Sequence, residues 1–419
     1  MTAFLRCCLL MAAGCAMAPA AVSVHAGFES GSIGRVEHAA PFHIRCAVKG
    51  EVDQDKRNRQ ASWYYFAVEG AAGREITVDL IDLPGEYNYR PGNLAINGAT
   101  RPFISYDRRT WTALADAAVE WDNTVARLRL RFTPSRSPVW IAHVPPYTTR
   151  HLARLLEDVR GRPGVTVAEA GRSAGGRSLW MVTISGRTAK RQDRKVIWVM
   201  ARQHAWEAGT SWAMEGLVRF LLGGDPAAAR LREEFLFQLF PMADPDGVAR
   251  GGVRFNVHGY DVNRNWDAVD PKRMPEIAAL RSAVLQWVDG GGRADLFLSL
   301  HNTNSDYLQG PLSAAGPAYR GLVERFAGLL ARHTVFDAKA PRDWPAGEVP
   351  RGRMDACQGL FHDRRIPTLL LEQNVQTNRR LGRPPGVEDY RRFGEQLALL
   401  AAQSLRDVAS PVRPASPRP

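Results

Sequence analysis

The chain is poor in cysteine. Of its 419 residues only five are cysteine, and three of these (Cys7, Cys8 and Cys15) fall near the start. That leaves Cys46 and Cys357, too few for a cysteine-rich metal cluster or a disulfide-stapled scaffold, although one cross-link between them stays open in an oxidising compartment. No block of lysine and arginine with interleaved aromatics occurs. The 55 basic residues exceed the 43 acidic ones, giving +12, but they are dispersed and mostly arginine. Dispersion of this kind argues against nucleic-acid binding, and the net field favours anionic substrates, such as peptides with free carboxyl termini. Internal repeats and low-complexity core segments are also absent. Apolar content of 45% and charged content of 23% are those of a soluble globular chain, long enough for two domains.

A long uncharged apolar stretch stands at the start, from Cys7 to Val24, after the single positive charge of Arg6. It closes on Val24-His25-Ala26, with small residues where a signal peptidase reads. The expectation is an export signal over residues 1–26, cleavage after Ala26, and a periplasmic or secreted chain without a transmembrane helix. Gly14 and Pro19 interrupt the run, which disfavours a membrane-spanning helix. Lipidation at Cys15 is a weaker alternative, because Ala12 stands where leucine is usual.

Residues 27–146 carry a β pattern. Ser62 to Val68 is aromatic-rich, Arg74 to Ile81 and Arg127 to Phe132 alternate polar and apolar residues, and Val139 to Val144 is a further strand. Turn formers separate these runs, so an all-β antiparallel sandwich is expected. The texture changes after Pro145-Pro146. Over residues 147–408, strands at Lys195–Ala201, Phe235–Phe240, Asp295–Leu300 and Ile366–Leu371 alternate with helices at His151–Arg160, Glu207–Leu222, Ile277–Val288, Ala318–His333 and Val387–Leu405. That alternation predicts an α/β domain with a mixed, largely parallel central sheet covered by helices. Residues 409–419, rich in proline and arginine, read as a disordered tail.

The chemistry gathers at predicted strand ends. His204 and Glu207, in RQHAWEAG, follow the KVIWVMA strand and are spaced to reach one metal ion. The spacing alone is weak, since His258-Gly-Tyr-Asp261 imitates it cheaply. Position strengthens it: His301 follows DLFLSL and Glu372 follows IPTLLL, and open α/β sheets bind ligands at the carboxyl ends of strands. Between them, Asp244 to Trp266 carries Arg254, Asn263 and Arg264, and arginine is the side chain suited to forked capture of a carboxylate.

DPDG followed by NRNW, with HxxE upstream and an isolated histidine and glutamate downstream, resembles the zinc carboxypeptidases called funnelins. An arginine nine residues before the Asn-Arg pair, with SWYYFAV and IAHVPPYT near the start, resembles the cytosolic-carboxypeptidase subfamily and its N-terminal β-sandwich. The resemblance implies one zinc per chain, held by His204, Glu207 and His301. It implies Glu372 as general base, Asn263 and Arg264 as the grip on the substrate's terminal carboxylate, and Arg254 as the group that polarises the scissile carbonyl. The partner is then the C-terminus of a peptide or protein. Two departures stand out: Pro350 lies near where digestive members carry a tyrosine, and this chain reads as exported. Amide hydrolysis on the same scaffold, of small N-acyl amino acids or cell-wall peptides, is the alternative.

Overall fold

In a computed structural model the described residues are 22–186, 194–337, 340–345 and 347–406. The readings made on residues 1–21, including Cys15, and on the 409–419 tail lie outside them.

Alternation in the first domain does what its pattern requires. In Arg127–Phe132, Leu128 and Leu130 turn inward and are fully buried while the arginines stay at the surface. Two five-stranded sheets face each other. Ser23–His25, Tyr65–Glu69, Val139–Ala142, Phe103–Ser105 and Thr112–Ala113 form one; Val119–Asp122, Arg127–Phe132, Ile76–Ile81, His43–Ala47 and Val36–Ala40 form the other. Ile44, Phe66, Val78, Leu128 and Ile141 pack between them. Pairing is antiparallel except between His43–Ala47 and Ile76–Ile81.

A paired strand lies ahead of the expected domain start at Gly27. Ser23–His25 is an edge strand in register with Tyr65–Glu69, with Val24 opposite Val68, and Val22 is buried. A cut after Ala26 would remove that strand, so the fold begins by Val22. The chain leaves the sandwich after Ala142 and enters the first helix, Thr149–Val159, by way of Pro145-Pro146.

In the second domain an eight-stranded sheet runs in the order Val165–Arg172, Ser178–Ile184, Phe235–Phe240, Lys195–Met200, Leu296–Thr303, Thr368–Asn374, Tyr307–Gly310, Arg342–Asp343. Its centre, from Phe235–Phe240 to Thr368–Asn374, is parallel; Val165–Arg172, Ser178–Ile184 and Tyr307–Gly310 join antiparallel. Apolar side chains on both faces of the central strands meet covering helices, which is why those strands read as unbroken hydrophobic runs. The outer Val165–Arg172 strand is half-exposed and bulged between Glu169 and Gly171, so it lacked a legible period.

Helix Ala208–Leu221, which follows the first metal-site segment, is fixed by helix Val387–Arg406. A side chain at Gly216 or Gly394 would collide with the facing backbone at Arg391 or Ala213, so both glycines are required for this close approach. Cys46 and Cys357 are both free and lie in different hydrophobic cores, one in each domain; the cross-link left open by the sequence does not form.

Candidate metal centre and active site

The turn after Lys195–Met200 is held from inside. Arg202 adopts a positive φ of 61°, and its buried guanidinium donates to the Ala205 carbonyl at 2.8 Å and to Ser211 Oγ at 3.2 Å. Its own amide donates to Thr210 Oγ1 at 3.1 Å. Burial pulls this guanidinium down to about 9, with the Glu207 and Asp244 charges opposing the fall. The turn therefore presents His204 and Glu207 inward as a rigid pair.

His301 and Glu372 sit inside their strands rather than beyond them. The strands continue to Thr303 and Asn374, and the two residues are direct partners in the parallel ladder. The apolar runs stop earlier because Asn302, Thr303, Gln373 and Asn374 continue the ladder with polar side chains.

His204, Glu207 and His301 converge, each buried, with ligand atoms all within 4.8 Å of one another. Glu207 Oε1 lies 2.7 Å from His204 Nδ1, and Oε2 lies 3.0 Å from His301 Nδ1. Burial alone would raise the Glu207 carboxyl, but the two imidazoles hold it down at about 2. Two imidazoles and one carboxylate are the donor set of an open zinc site. The outer nitrogens fit the same assignment. His204 Nε2 is 3.0 Å from Asp261 Oδ1, and His301 Nε2 is 3.0 Å from Ser299 Oγ, which in turn donates to Gln203 Oε1 at 2.7 Å. A metal would take the place of the Nδ1 protons that face Glu207, while Asp261 and Ser299 keep a proton on each Nε2 and so leave both Nδ1 lone pairs for it. These residues fit zinc.

Asp261 also binds Arg254, accepting from Nε at 2.6 Å. Burial opposes ionisation of both groups. Their mutual attraction, with His204 adding to it, keeps the Asp261 carboxyl well below its usual range and Arg254 charged. The terminal nitrogens of Arg254 have no acceptor among the described residues. Arg264 donates Nη1–H to the Asn263 carbonyl at 2.7 Å and reaches the Tyr87 hydroxyl at 3.4 Å. The Asn263 carboxamide oxygen accepts from Ala356 N at 2.9 Å and Gln203 Nε2 at 3.2 Å, which orients its NH2 group. That NH2 lies 3.2 Å from His301 Nε2. Once that nitrogen carries its proton toward Ser299, the Asn263 NH2 is left to donate elsewhere.

Glu372 stands beside His301 in the parallel ladder. The Tyr307 hydroxyl approaches its Oε1 at 3.4 Å, while Oε2 is shielded and has no partner among the described residues. Burial pushes this carboxyl up to about 7, with the Glu207 charge adding and the His301, His204 and Arg254 charges opposing. Such a group suits proton transfer near neutrality.

The seven residues expected from the sequence are thus neighbours: His204 joins Arg254 through Asp261, Asn263 and Glu372 both adjoin His301, and Arg264 follows Asn263. Asp261, Ser299, Gln203, Tyr307 and Tyr87 were missed. Asp261 was passed over as half of a chance HxxD, yet its place two residues before Asn263 within the same loop was a usable signal. His258, the other half, is exposed. Tyr87 lies on a hairpin of the first domain, and nothing linear connects it to the cleft.

Fold and site are those expected of a zinc carboxypeptidase domain, and the comparisons agree. The zinc carboxypeptidase family matches residues 153–309, and the cytosolic carboxypeptidase N-terminal domain matches residues 24–144. The chain thus carries a zinc carboxypeptidase domain preceded by a cytosolic carboxypeptidase N-terminal domain. Human cytosolic carboxypeptidase 6 is 24% identical over 65% of this chain and 56% of its own length. Cytosolic carboxypeptidase 2 of Danio rerio is 27% identical over 61% of this chain and 38% of its own length. An uncharacterized Zymomonas mobilis protein is 28% identical over 62% and 63%. The chain thus spans less than two thirds of the length of these curated relatives. Among solved structures, a metallo-carboxypeptidase from Pseudomonas aeruginosa aligns over 92% of this chain and all of its own, with TM-score 0.74 and 26% identity. One from Burkholderia cenocepacia aligns over 92% and 99%, with TM-score 0.78 and 24% identity.

Proposed function

We propose that this chain removes single residues from the C-terminus of peptides or proteins, with zinc held by His204, Glu207 and His301. The observation that carries this is the buried, partnerless Glu372 Oε2, on the strand residue paired with His301 and within reach of the Glu207, His204 and Arg254 charges. Zinc bound there supplies a Lewis acid that acidifies a water and polarises a carbonyl. Arg264 and the Asn263 NH2 grip the terminal carboxylate, which sets the last peptide bond, and no other, against the metal trio. Arg254 donates to the carbonyl oxygen as charge develops on it. Glu372 Oε2 takes the proton from the attacking water and returns it to the leaving amine.

The Pseudomonas relative was solved with (2-guanidinoethylmercapto)succinic acid, a dicarboxylic compound. Arginine and asparagine donors of the kind assembled here suit such a compound. Digestion of a defined peptide followed by mass spectrometry tests the reading. The expected products differ by one residue from the C-terminus and vanish with a chelator; internal fragments would contradict it. The Cys7–Val24 segment remains the reason to propose export for this chain, although the human and Danio rerio relatives are named cytosolic carboxypeptidases.

A further inference from the structure

The first domain reaches into the cleft by a hairpin of two short strands, Gly85–Tyr87 and Arg90–Asn93, whose turn is made by Asn88 and Tyr89 at positive φ. The hairpin is fastened from both sides. The Glu86 carboxylate accepts from Arg57 Nε at 3.1 Å and Asn58 N at 2.6 Å, and Tyr89 N donates to Asn58 Oδ1 at 2.6 Å. From the second domain, Arg353 Nη2 donates to Asn88 Oδ1 at 2.5 Å. What this framework presents to the cleft is Tyr87.

The Tyr87 ring lies under the Arg254 guanidinium, 5.4 Å from centroid to Cζ, and its hydroxyl accepts from Arg264 Nη2 at 3.4 Å. The phenolic hydrogen has no acceptor among the described residues. Neither do the terminal nitrogens of Arg254. Tyr87, Asn88, Arg254, Asp261, Arg264 and Arg353 line a cavity of about 230 Å³ at this junction of the two domains. Two carboxylates line the same space, but Asp261 is engaged by Arg254 Nε and His204, and Asp53 by the Asp55 and Arg57 amides and the Asn58 side chain. The Tyr87 hydroxyl and the terminal nitrogens of Arg254 are left as donors from the two domains, an arrangement that suits an anionic guest.

We propose that Tyr87 is a substrate-binding residue: its hydroxyl donates to the terminal carboxylate held by Arg264, and its ring keeps Arg254 aimed at the reacting carbonyl. The N-terminal domain is thereby part of the active site rather than an appendage to it. This rests on the carboxypeptidase reading above.

The test uses the zinc-loaded Glu372→Gln protein, which binds without turnover, and titrates a peptide as free acid and as C-terminal amide by calorimetry. Adding Tyr87→Phe keeps the ring and removes only the hydroxyl. It should weaken binding of the acid by about tenfold, the value of one hydrogen bond to a charged group, and leave the amide unchanged. Tyr87→Ala should weaken the acid further. In the otherwise wild-type enzyme, Tyr87→Phe should raise KM by a similar factor with kcat, zinc content and melting temperature held. If the Glu372→Gln parent prefers the acid and Tyr87→Phe keeps that preference in full, Tyr87 has no such role. A parent with no preference for the acid would overturn the carboxypeptidase reading and this inference together.

Discussion

The Glu51 carboxylate, carried by the N-terminal sandwich, accepts the backbone N–H of Arg254 at 2.6 Å. The same oxygen takes the amides of Val253 at 3.0 Å and Phe255 at 2.9 Å. One side chain of the first domain thus holds the backbone of Arg254, the arginine proposed to polarise the carbonyl, in the second. Glu51→Ala leaves three amides without that acceptor, at a cost on the order of 3 kcal/mol, and frees the Arg254 segment. The expected outcome is a lower melting temperature and a loss of about tenfold to a hundredfold in kcat/KM, with zinc retained. Unchanged kinetics alongside reduced stability would confine Glu51 to a structural role.

Glu372→Gln preserves shape and removes the proton acceptor. Turnover should fall by about 10² to 10⁴, with metal content and substrate affinity kept. Single-turnover kinetics beside calorimetry separates the two effects. A variant that retains most of its activity would move the base elsewhere.

The trio of His204, Glu207 and His301 should bring down one zinc per chain, and His301→Ala should lose metal and activity together. Elemental analysis of both proteins decides. Full zinc occupancy in the variant would require a different third ligand.

The thiols offer a check on the two cores. Burial pushes the Cys46 thiol up to about 12, with Asp79 adding to the rise, and burial also raises Cys357. Neither should react with iodoacetamide at pH 8 in the native protein, and both should label once it is unfolded without reductant. Labelling that needs a reductant would mean a disulfide.

Mature protein from its native compartment should begin at or before Val22, because Ser23–His25 is paired into the sandwich. Peptide mass spectrometry reads this directly. An N-terminus at Gly27 would mean that the sandwich forms without that strand.

Much of this architecture was legible along the chain. Unbroken apolar runs marked the parallel strands of the second domain, and alternation marked Arg127–Phe132 with the bounds it has in the fold. Boundaries were hidden where polar residues continued a ladder, as at Asn302 and Gln373, and where an edge strand, Ser23–His25, overlaps the end of the Cys7–Val24 apolar run. The proposed metal ligands and base were visible because each comes where an apolar strand run gives way to polar residues or just beyond it. Asp261 and Tyr87 were not, since their roles come from tertiary contact: an outer imidazole nitrogen in one case, another domain's arginines in the other.

The most direct measurement compares cleavage of one peptide as free acid and as C-terminal amide, by wild type and by Arg264→Ala. Wild type should cut the acid and leave the amide, a discrimination of a hundredfold or more on the order of a few kcal/mol for a buried charged hydrogen bond. Arg264→Ala should lose most of that preference while keeping its zinc. Equal cleavage of acid and amide by wild type, or cuts in mid-chain, would contradict the carboxylate clamp and leave a zinc amidase of another specificity.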